Sequence, residues 1–265
     1  MSAIGMNILE QFSLKGKVAV IAGGKGLYGR QVVEAVAQAG AKTYIASRSL
    51  EELEAIAAEH RSNGYDVFAM YLDLGDEGSI INIKEEVLKR EGKVDILINN
   101  AVIRPMKSWN DDASCFAESM KVNATGLFLI TRAFGDEMAK RGSGSIINIG
   151  SIQGMVGPDG TLYEGLGFTG YIPDYFFHKG GMINFTRFTA SYYGKYNVRC
   201  NCISPGGFQT EASPEVFVER YSNRTFLGRM ANNTDVMGAI VFLASDASLY
   251  ITGANIPVDG GYTAK

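Results

Sequence analysis

The chain has 265 residues, 46% hydrophobic and 20% charged, with a formal net charge of -3 at pH 7; this composition supports a sizeable core and excludes a largely disordered chain. With no basic field and no Lys/Arg-rich run it is not a nucleic-acid binder, and no apolar stretch reaches the roughly 18 residues of a bilayer span, nor does the segment 1–16 carry a basic-then-apolar leader, so a cytoplasmic protein without a membrane partner is expected. Cys115, Cys200 and Cys202 lack a Cys-x-x-Cys spacing and the histidines are only His60 and His178, which indicates neither a disulfide framework nor a metal site.

Short apolar or β-branched runs alternate with segments of helical period. Val18 to Ala22 reads as a strand and Gly29 to Ala39 as a helix; Lys42 to Ala46 with Leu50 to Asn63, and Asp66 to Leu72 with Glu77 to Glu91, repeat the pair. The alternation continues with a strand at Ile96 to Asn99, one helix around Ala113 to Ala139 and a strand at Ser145 to Ile149. A helix from about Asp174 to Tyr193, a strand at Val198 to Ile203, a helix near Thr234 to Ala244 and a strand at Ile256-Pro257-Val258 complete it. Strands apolar on both faces and joined by helices form a parallel sheet covered on both sides, since the crossovers are right-handed. The expected fold is α/β, a doubly wound parallel sheet in a single domain over 1–265.

Between the first strand and the first helix lies Ala22-Gly23-Gly24-Lys25-Gly26-Leu27-Tyr28-Gly29. Gly24, Gly26 and Gly29 satisfy Gly-x-Gly-x-x-Gly, and glycines there let the main chain approach a dinucleotide pyrophosphate at a helix N-terminus. Lys25, Leu27 and Tyr28 share this turn. The second strand ends in Ile45-Ala46-Ser47-Arg48, with no carboxylate to grip a ribose 2′-hydroxyl. Arg48 can pair with a 2′-phosphate, Ser47 can donate a hydroxyl to it and Lys25 adds charge, so NADP is the expected cofactor, with NAD as the alternative.

Tyr175 and Lys179 are four residues apart on a predicted helix and project from one face, so the ammonium can lower the phenol's pKa and make it a proton donor and acceptor near neutrality. They lie downstream of Asn148-Ile149-Gly150-Ser151. With the phosphate turn, Asp73 after the third strand and Asn99-Asn100-Ala101 also in order, the chain resembles the short-chain dehydrogenase/reductase family over nearly its whole length. Val122-Asn123-Ala124-Thr125-Gly126, Arg199 to Gly206, Ile251-Thr252-Gly253 and Val258-Asp259-Gly260-Gly261 add to the likeness, and within the family the stretches Phe12 to Lys17 and Arg224 to Arg229 are similar to gluconate 5-dehydrogenase-like and bacterial surface-sugar members.

The resemblance implies a Rossmann fold and a catalytic tetrad of Asn123, Ser151, Tyr175 and Lys179. Tyr175 would exchange the proton, Ser151 hold the substrate oxygen, Lys179 bind the nicotinamide ribose and favour the tyrosinate, and Asn123 position a water leading from Lys179 to solvent. It further implies Gly23 and Gly29 at the phosphates, Asp73 and Leu74 around the adenine, Asn100 and Ala101 beside the adenosine ribose, Pro205 and Gly206 beside the nicotinamide, and Thr210 at its carboxamide or phosphates. The chain departs from the family pattern at Ala22, Leu27 and Val102, where the family usually has Thr, Gly and Gly. Leu27 puts a side chain where close approach is usual, and Gly26 compensates if the turn shifts by one residue.

Ser151 and Tyr175 are also farther apart than is usual in the family. The surplus, about 155–173, is rich in Gly and Pro and reads as a structured loop over the substrate site. Its Tyr163, Glu164 and Tyr171 suit a polyhydroxylated molecule, and the polar run after Gly206 favours a small hydrophilic substrate. Arg220 and Arg224 are candidates to meet a sugar-acid carboxylate, and Arg104 and Lys107, just after Asn99-Asn100-Ala101, are further candidates near the pocket mouth. Aromatic residues such as Phe116, Phe128, Phe185, Phe188, Tyr192 and Tyr193 suggest a homo-oligomer, a tetramer or dimer. The expected activity is NAD(P)-dependent hydride transfer on a carbonyl or secondary alcohol of a keto sugar, sugar acid or polyol. The competing readings are a 3-oxoacyl-thioester reductase and a dinucleotide-binding regulatory protein without turnover.

Overall fold

The computed structural model describes residues 7–264. Seven strands, β1 (Val18–Ala22), β2 (Lys42–Ser47), β3 (Val67–Tyr71), β4 (Ile96–Asn99), β5 (Gly144–Ile149), β6 (Val198–Pro205) and β7 (Asn255–Val258), form one sheet in the order β3-β2-β1-β4-β5-β6-β7. Every neighbouring pair is parallel. The α-helices are α1 (Leu27–Gln38), α2 (Leu50–Ser62), α3 (Glu77–Glu91), α4 (Ala113–Met120), α5 (Leu127–Arg141), α6 (Pro173–Tyr193), α7 (Glu215–Ser222) and α8 (Met237–Ala244).

The period-two alternation of a strand divides the core between the two faces of the sheet. On β1, Ala19 and Ile21 join a layer with Val32, Val36, Leu53 and Leu243, while Val18 and Val20 join Ile80, Val87, Ile130 and Phe134 on the other side. Each such fully buried Val, Ile or Leu contributes roughly 1.5–3 kcal/mol through the water it no longer orders. Because β1 lies between β2 and β4, the chain winds outward in both directions from that point and leaves a crevice at the carboxyl ends of the strands. Gly23, Asp73, Asn100, Ser151 and Gly206 all follow strand ends at this edge.

Three local features differ from the sequence expectation. The helix expected over Ala113 to Ala139 is two helices, α4 and α5, joined by a π-helical segment at Lys121–Gly126. Helix α1 begins at Leu27, two residues early, with Gly26 as its N-cap. The polar run after Gly206 contains α7, whose buried Tyr221 accepts from the Gly207 amide at 2.5 Å and which is seated by Phe217, Val218 and Tyr221 packing in an apolar cluster with Ile152, Leu162 and Met230.

Candidate active site

Helix α6 opens with Pro173, whose fixed φ suits a first turn, and carries Tyr175 and Lys179 one turn apart. Lys179 is buried and its Nζ donates to the Ile149 carbonyl at 2.5 Å, 5.7 Å from the centroid of the Tyr175 ring. Ser151, just past β5, is also buried and its hydroxyl accepts from the Gln153 amide at 3.1 Å, capping the short 3-10 turn Ile152–Gly154. That turn sits directly on α6: a Cβ on Gly154 would lie 2.6 Å from the Lys179 carbonyl oxygen, so only glycine permits the approach. The serine-bearing turn and the helix bearing Tyr175 are thereby held together by a backbone contact.

Burial alone would raise the Tyr175 phenol, yet the charges of Lys179 and Arg104 and hydrogen bonding involving Ser151 and Arg104 outweigh it and hold the pKa below its ordinary 10.0. Lys179 is lowered too, chiefly by burial, against the pull of Tyr175. His178 stands edge-on to Tyr175 with centroids 5.2 Å apart, and burial, followed by the charges of Lys179 and Arg104, pushes its imidazole down to about 3. It is therefore neutral at physiological pH and no proton shuttle.

Asn123 lies within the π-helical turn. Its Nδ2 donates to the Ile103 carbonyl at 2.8 Å and to Ser119 Oγ at 2.9 Å, and its Oδ1 accepts from the Ile103 amide at 3.0 Å. The wide turn brings this amide to the loop after β4, a long-range contact that an unbroken α-helical register would displace. The clamp fixes the residue before Arg104, whose guanidinium carbon stands 4.4 Å over the centre of the Tyr175 ring. Arg104 thus enters the immediate environment of the phenol, where the sequence placed it only at the pocket mouth.

At the phosphate turn, Gly23 has φ +91° and a Cβ there would lie 2.5 Å from the Ala101 amide nitrogen; a Cβ on Gly29 would collide with the Gly23 carbonyl. The N-cap Gly26 has no side chain to satisfy the first amides of α1, and a Cβ there would meet nothing within 4 Å. A glycine-lined cradle with open helix N–H groups fits a pyrophosphate. Leu27, the first residue of α1, is exposed. Asn100 donates from Nδ2 to the Gly23 carbonyl and from its backbone to Ala22 at 2.9 Å, tying the turn to β4 where Ala22 has no hydroxyl to do so. Tyr28 reaches across to donate to the Gly206 carbonyl at 2.8 Å and stands edge-on to Phe208, linking the phosphate turn to the loop that carries Pro205 and Gly206.

The other predicted cofactor residues rim the same edge. Arg48 is exposed, Ser47 Oγ accepts from the Ser49 amide at 3.1 Å, and Lys25 Nζ donates to Ser49 Oγ at 2.9 Å and pairs with Glu52 at 3.1 Å. Ser49, which the sequence reading passed over, joins this polar corner; its position two residues beyond the strand was the available signal. Asp73 Oδ1 accepts from the Gly75 amide at 2.8 Å, leaving one carboxylate oxygen uncommitted by that turn, and Leu74 is buried against Gly126. Ala101 lies against Gly23, and Thr210 shares a hydrogen bond with Ser213 at 3.2 Å.

The segment 155–172 is turns and one 3-10 helix, Gly160–Leu162, docked on α7. Arg220 donates to the Glu164 carbonyl at 2.6 Å, while Arg224 pairs with Asp159 at 2.9 Å and donates to Thr161 Oγ1 at 2.9 Å. These two arginines clasp the loop and are not presented to a ligand. Tyr163 packs on Phe168 and Phe217, with centroids 5.7 and 5.5 Å away, so its ring is engaged inside the loop, whereas Tyr171 is exposed.

Residues 24–263 match the family described as enoyl-(acyl carrier protein) reductase. The chain is 31% identical to the 7alpha-hydroxysteroid dehydrogenase of Bacteroides fragilis over 94% of its own length and 95% of that protein. It is 33% identical to the 3-oxoacyl-[acyl-carrier-protein] reductase of Aquifex aeolicus over 95% and 99%. A solved gluconate 5-dehydrogenase from Burkholderia cenocepacia, in complex with NADP and tartrate, superposes with a TM-score of 0.88 at 30% identity, covering 98% of this chain and all of that one.

Proposed function

The chain belongs to the short-chain dehydrogenase/reductase family and is an NAD(P)-dependent oxidoreductase; from that premise we propose that it moves a hydride between NADP(H) and a carbonyl or secondary alcohol of a small polar substrate, a keto sugar, sugar acid or polyol. The observation that carries this reading is the convergence of Ser151, Lys179 and Arg104 on a Tyr175 phenol whose pKa is lowered despite burial. The bound nicotinamide supplies the hydride in reduction and accepts it in oxidation. Ser151 hydrogen-bonds the substrate oxygen, and Tyr175 gives its proton to that oxygen as a ketone becomes an alcohol, or takes it back in the reverse direction. Lys179 steadies the tyrosinate by charge and binds the nicotinamide ribose. Because the Asn123 side chain is committed to Ile103 and Ser119, the water it positions is held by its main-chain carbonyl.

Gly23, Gly26 and Gly29 cradle the pyrophosphate, Asp73, Leu74, Asn100 and Ala101 border the adenosine, and Pro205, Gly206 and Thr210 border the nicotinamide side. Arg48, exposed at the end of β2, binds the 2′-phosphate with help from Ser47 and Lys25. Arg48→Ala is expected to weaken NADPH binding about 10- to 100-fold and NADH binding less than about threefold, read by titrating cofactor fluorescence; equal losses for both cofactors would remove the arginine from this role. Cytoplasmic residence and self-association belong to the same reading. Phe128, Phe188 and Tyr192 are 43%, 63% and 55% exposed along α5 and α6, a surface suited to a second subunit. Light scattering should give a dimer or tetramer, and a monomer at micromolar concentration would contradict it.

The reading is tested by following reduced-cofactor absorbance with pooled keto sugars and sugar acids beside a pool of 3-oxoacyl thioesters. Turnover confined to the sugar pool is the expected result. Turnover confined to the thioesters would replace the substrate class, and cofactor binding with no turnover in either would return the protein to a regulatory role.

A further inference from the structure

The loop that leaves β6 is tied by main-chain hydrogen bonds on both sides of one peptide. The Gly206 amide donates to the Val258 carbonyl at 3.0 Å, and the Gly207 carbonyl accepts from the Ala231 amide at 2.9 Å. Between them lies the Gly206–Gly207 peptide, and both of its polar ends go to side chains. Its carbonyl accepts from the Tyr28 hydroxyl at 2.8 Å, and its N–H donates to the Tyr221 hydroxyl at 2.5 Å. A peptide between two glycines is the freest to turn over as a unit, because neither flanking residue has a Cβ to narrow its φ and ψ. Two phenols therefore decide which way this one faces.

The tyrosines come from different parts of the chain. Tyr28 lies in the first turn of α1, within the glycine turn that fits a pyrophosphate, and its ring is braced edge-on by Phe208 at 5.4 Å. Tyr221 lies on α7, stacked on Tyr262 at 4.9 Å, and a Cβ on Gly207 would stand only 2.9 Å from its ring. Burial raises both phenols above their ordinary value, so Tyr28 keeps its proton and stays a donor throughout the range in which Tyr175 titrates. Tyr28 is also within electrostatic reach of Tyr175, which puts the joint at the reacting end of the crevice.

We propose that Tyr28 is a positioning residue for the nicotinamide half of the cofactor: its hydroxyl locks the Gly206–Gly207 peptide in the orientation that the nicotinamide meets, so that this side of the crevice is ordered before the cofactor arrives. This rests on the cofactor placement proposed above, in which Pro205 and Gly206 border the nicotinamide, and adds to it a side chain that acts there through a peptide. Without the hydroxyl the peptide samples other orientations in the free protein, and the apparent affinity falls with the fraction that stays competent. The pyrophosphate turn has ties of its own, from the Gly23 amide to the Ala46 carbonyl at 2.8 Å and from Asn100 to the Gly23 carbonyl. The loss is therefore confined to ligands that carry the nicotinamide.

Tyr28→Phe removes the hydroxyl and keeps the ring against Phe208. Its affinity is measured by calorimetry for NADPH and for 2′-phospho-ADP-ribose, which has the same adenosine and pyrophosphate but no nicotinamide. NADPH should bind the variant about 5- to 20-fold more weakly than wild type, and 2′-phospho-ADP-ribose within about twofold of it. NADH and ADP-ribose should repeat the split, which does not depend on the 2′-phosphate, and so should Tyr221→Phe, which frees the other end of the peptide. Equal losses for both ligands would mean that the hydroxyl supports only the phosphate turn, and an unchanged NADPH affinity would mean that the peptide needs no lock; either result overturns the proposal. A wild type that bound no dinucleotide at all would instead bring down the cofactor reading on which the proposal rests.

Hydrogen exchange on the free protein reads the lock itself. Peptides that contain Gly207 should exchange this amide at least about tenfold faster in Tyr28→Phe than in wild type, while β5 keeps its wild-type rate. Protection of Gly207 equal to that of wild type, or faster exchange spread over β5 as well, overturns the proposal whatever the ligands do.

Discussion

Tyr175→Phe will bind NADPH with an affinity within about threefold of wild type and will lose turnover by about a thousandfold or more. The substitution removes one oxygen and keeps the ring, so the stack beneath Arg104 and the edge contact with His178 persist. It deletes the phenol whose pKa is held below its ordinary value in spite of burial. No neighbour can substitute: His178 is held neutral to about pH 3, and the hydroxyl of Ser151 is not acidic enough to protonate a developing alkoxide at speed. Initial rates followed by cofactor absorbance, with a fluorescence titration of NADPH on the same sample, separate chemistry from binding. A variant that retained more than about a tenth of the wild-type rate would show that another group carries the proton.

Lys179→Met tests the electrostatic half of the site. The unbranched thioether fills nearly the same buried volume, so a thermal melt should show a modest loss that reflects the Ile149 carbonyl left without its partner. At neutral pH the rate should fall about a hundredfold. Alcohol oxidation needs the tyrosinate, so its rate rises with pH through the Tyr175 pKa, and carbonyl reduction needs the phenol, so its rate falls through the same value. Removing the Lys179 charge raises that pKa, because burial then opposes only Arg104 and the hydrogen bonds. Both limbs should therefore move to higher pH in the variant. A pH profile that dropped in height without moving would mean that Lys179 positions the cofactor but does not tune the phenol.

Much of this arrangement is legible in the residues because it is local. The run Val18–Ala22 is apolar on both faces and is read with its observed bounds, and Tyr175 and Lys179 need only a helix to share a face. What is hidden depends on partners far away in the chain. The π-helical turn at Lys121–Gly126 arises where Asn123 reaches Ile103, and no periodicity in Ala113 to Ala139 encodes that contact. Arg104 and Tyr175 are brought into contact only by the folded loop after β4. The same holds for Arg220 and Arg224, whose charges read as ligand-facing until Asp159 and the Glu164 carbonyl are seen to occupy them. Tyr28 lies in a turn recognisable by its glycines, yet its hydrogen bond to Gly206 crosses from the first strand to the sixth.

The central claim is direct hydride transfer in the pocket bounded by Ser151, Tyr175 and Arg104. The measurement that reaches it most directly is mass spectrometry of products formed from C4-deuterated NADPH, carrying the label on each face of the ring in turn, and a pool of keto sugars and keto sugar acids. One deuterium should appear on the new carbinol carbon from one labelled face only, in wild type and not in Tyr175→Phe. Reduced products without label from either face, or equal labelling by the Tyr175→Phe variant, would contradict it.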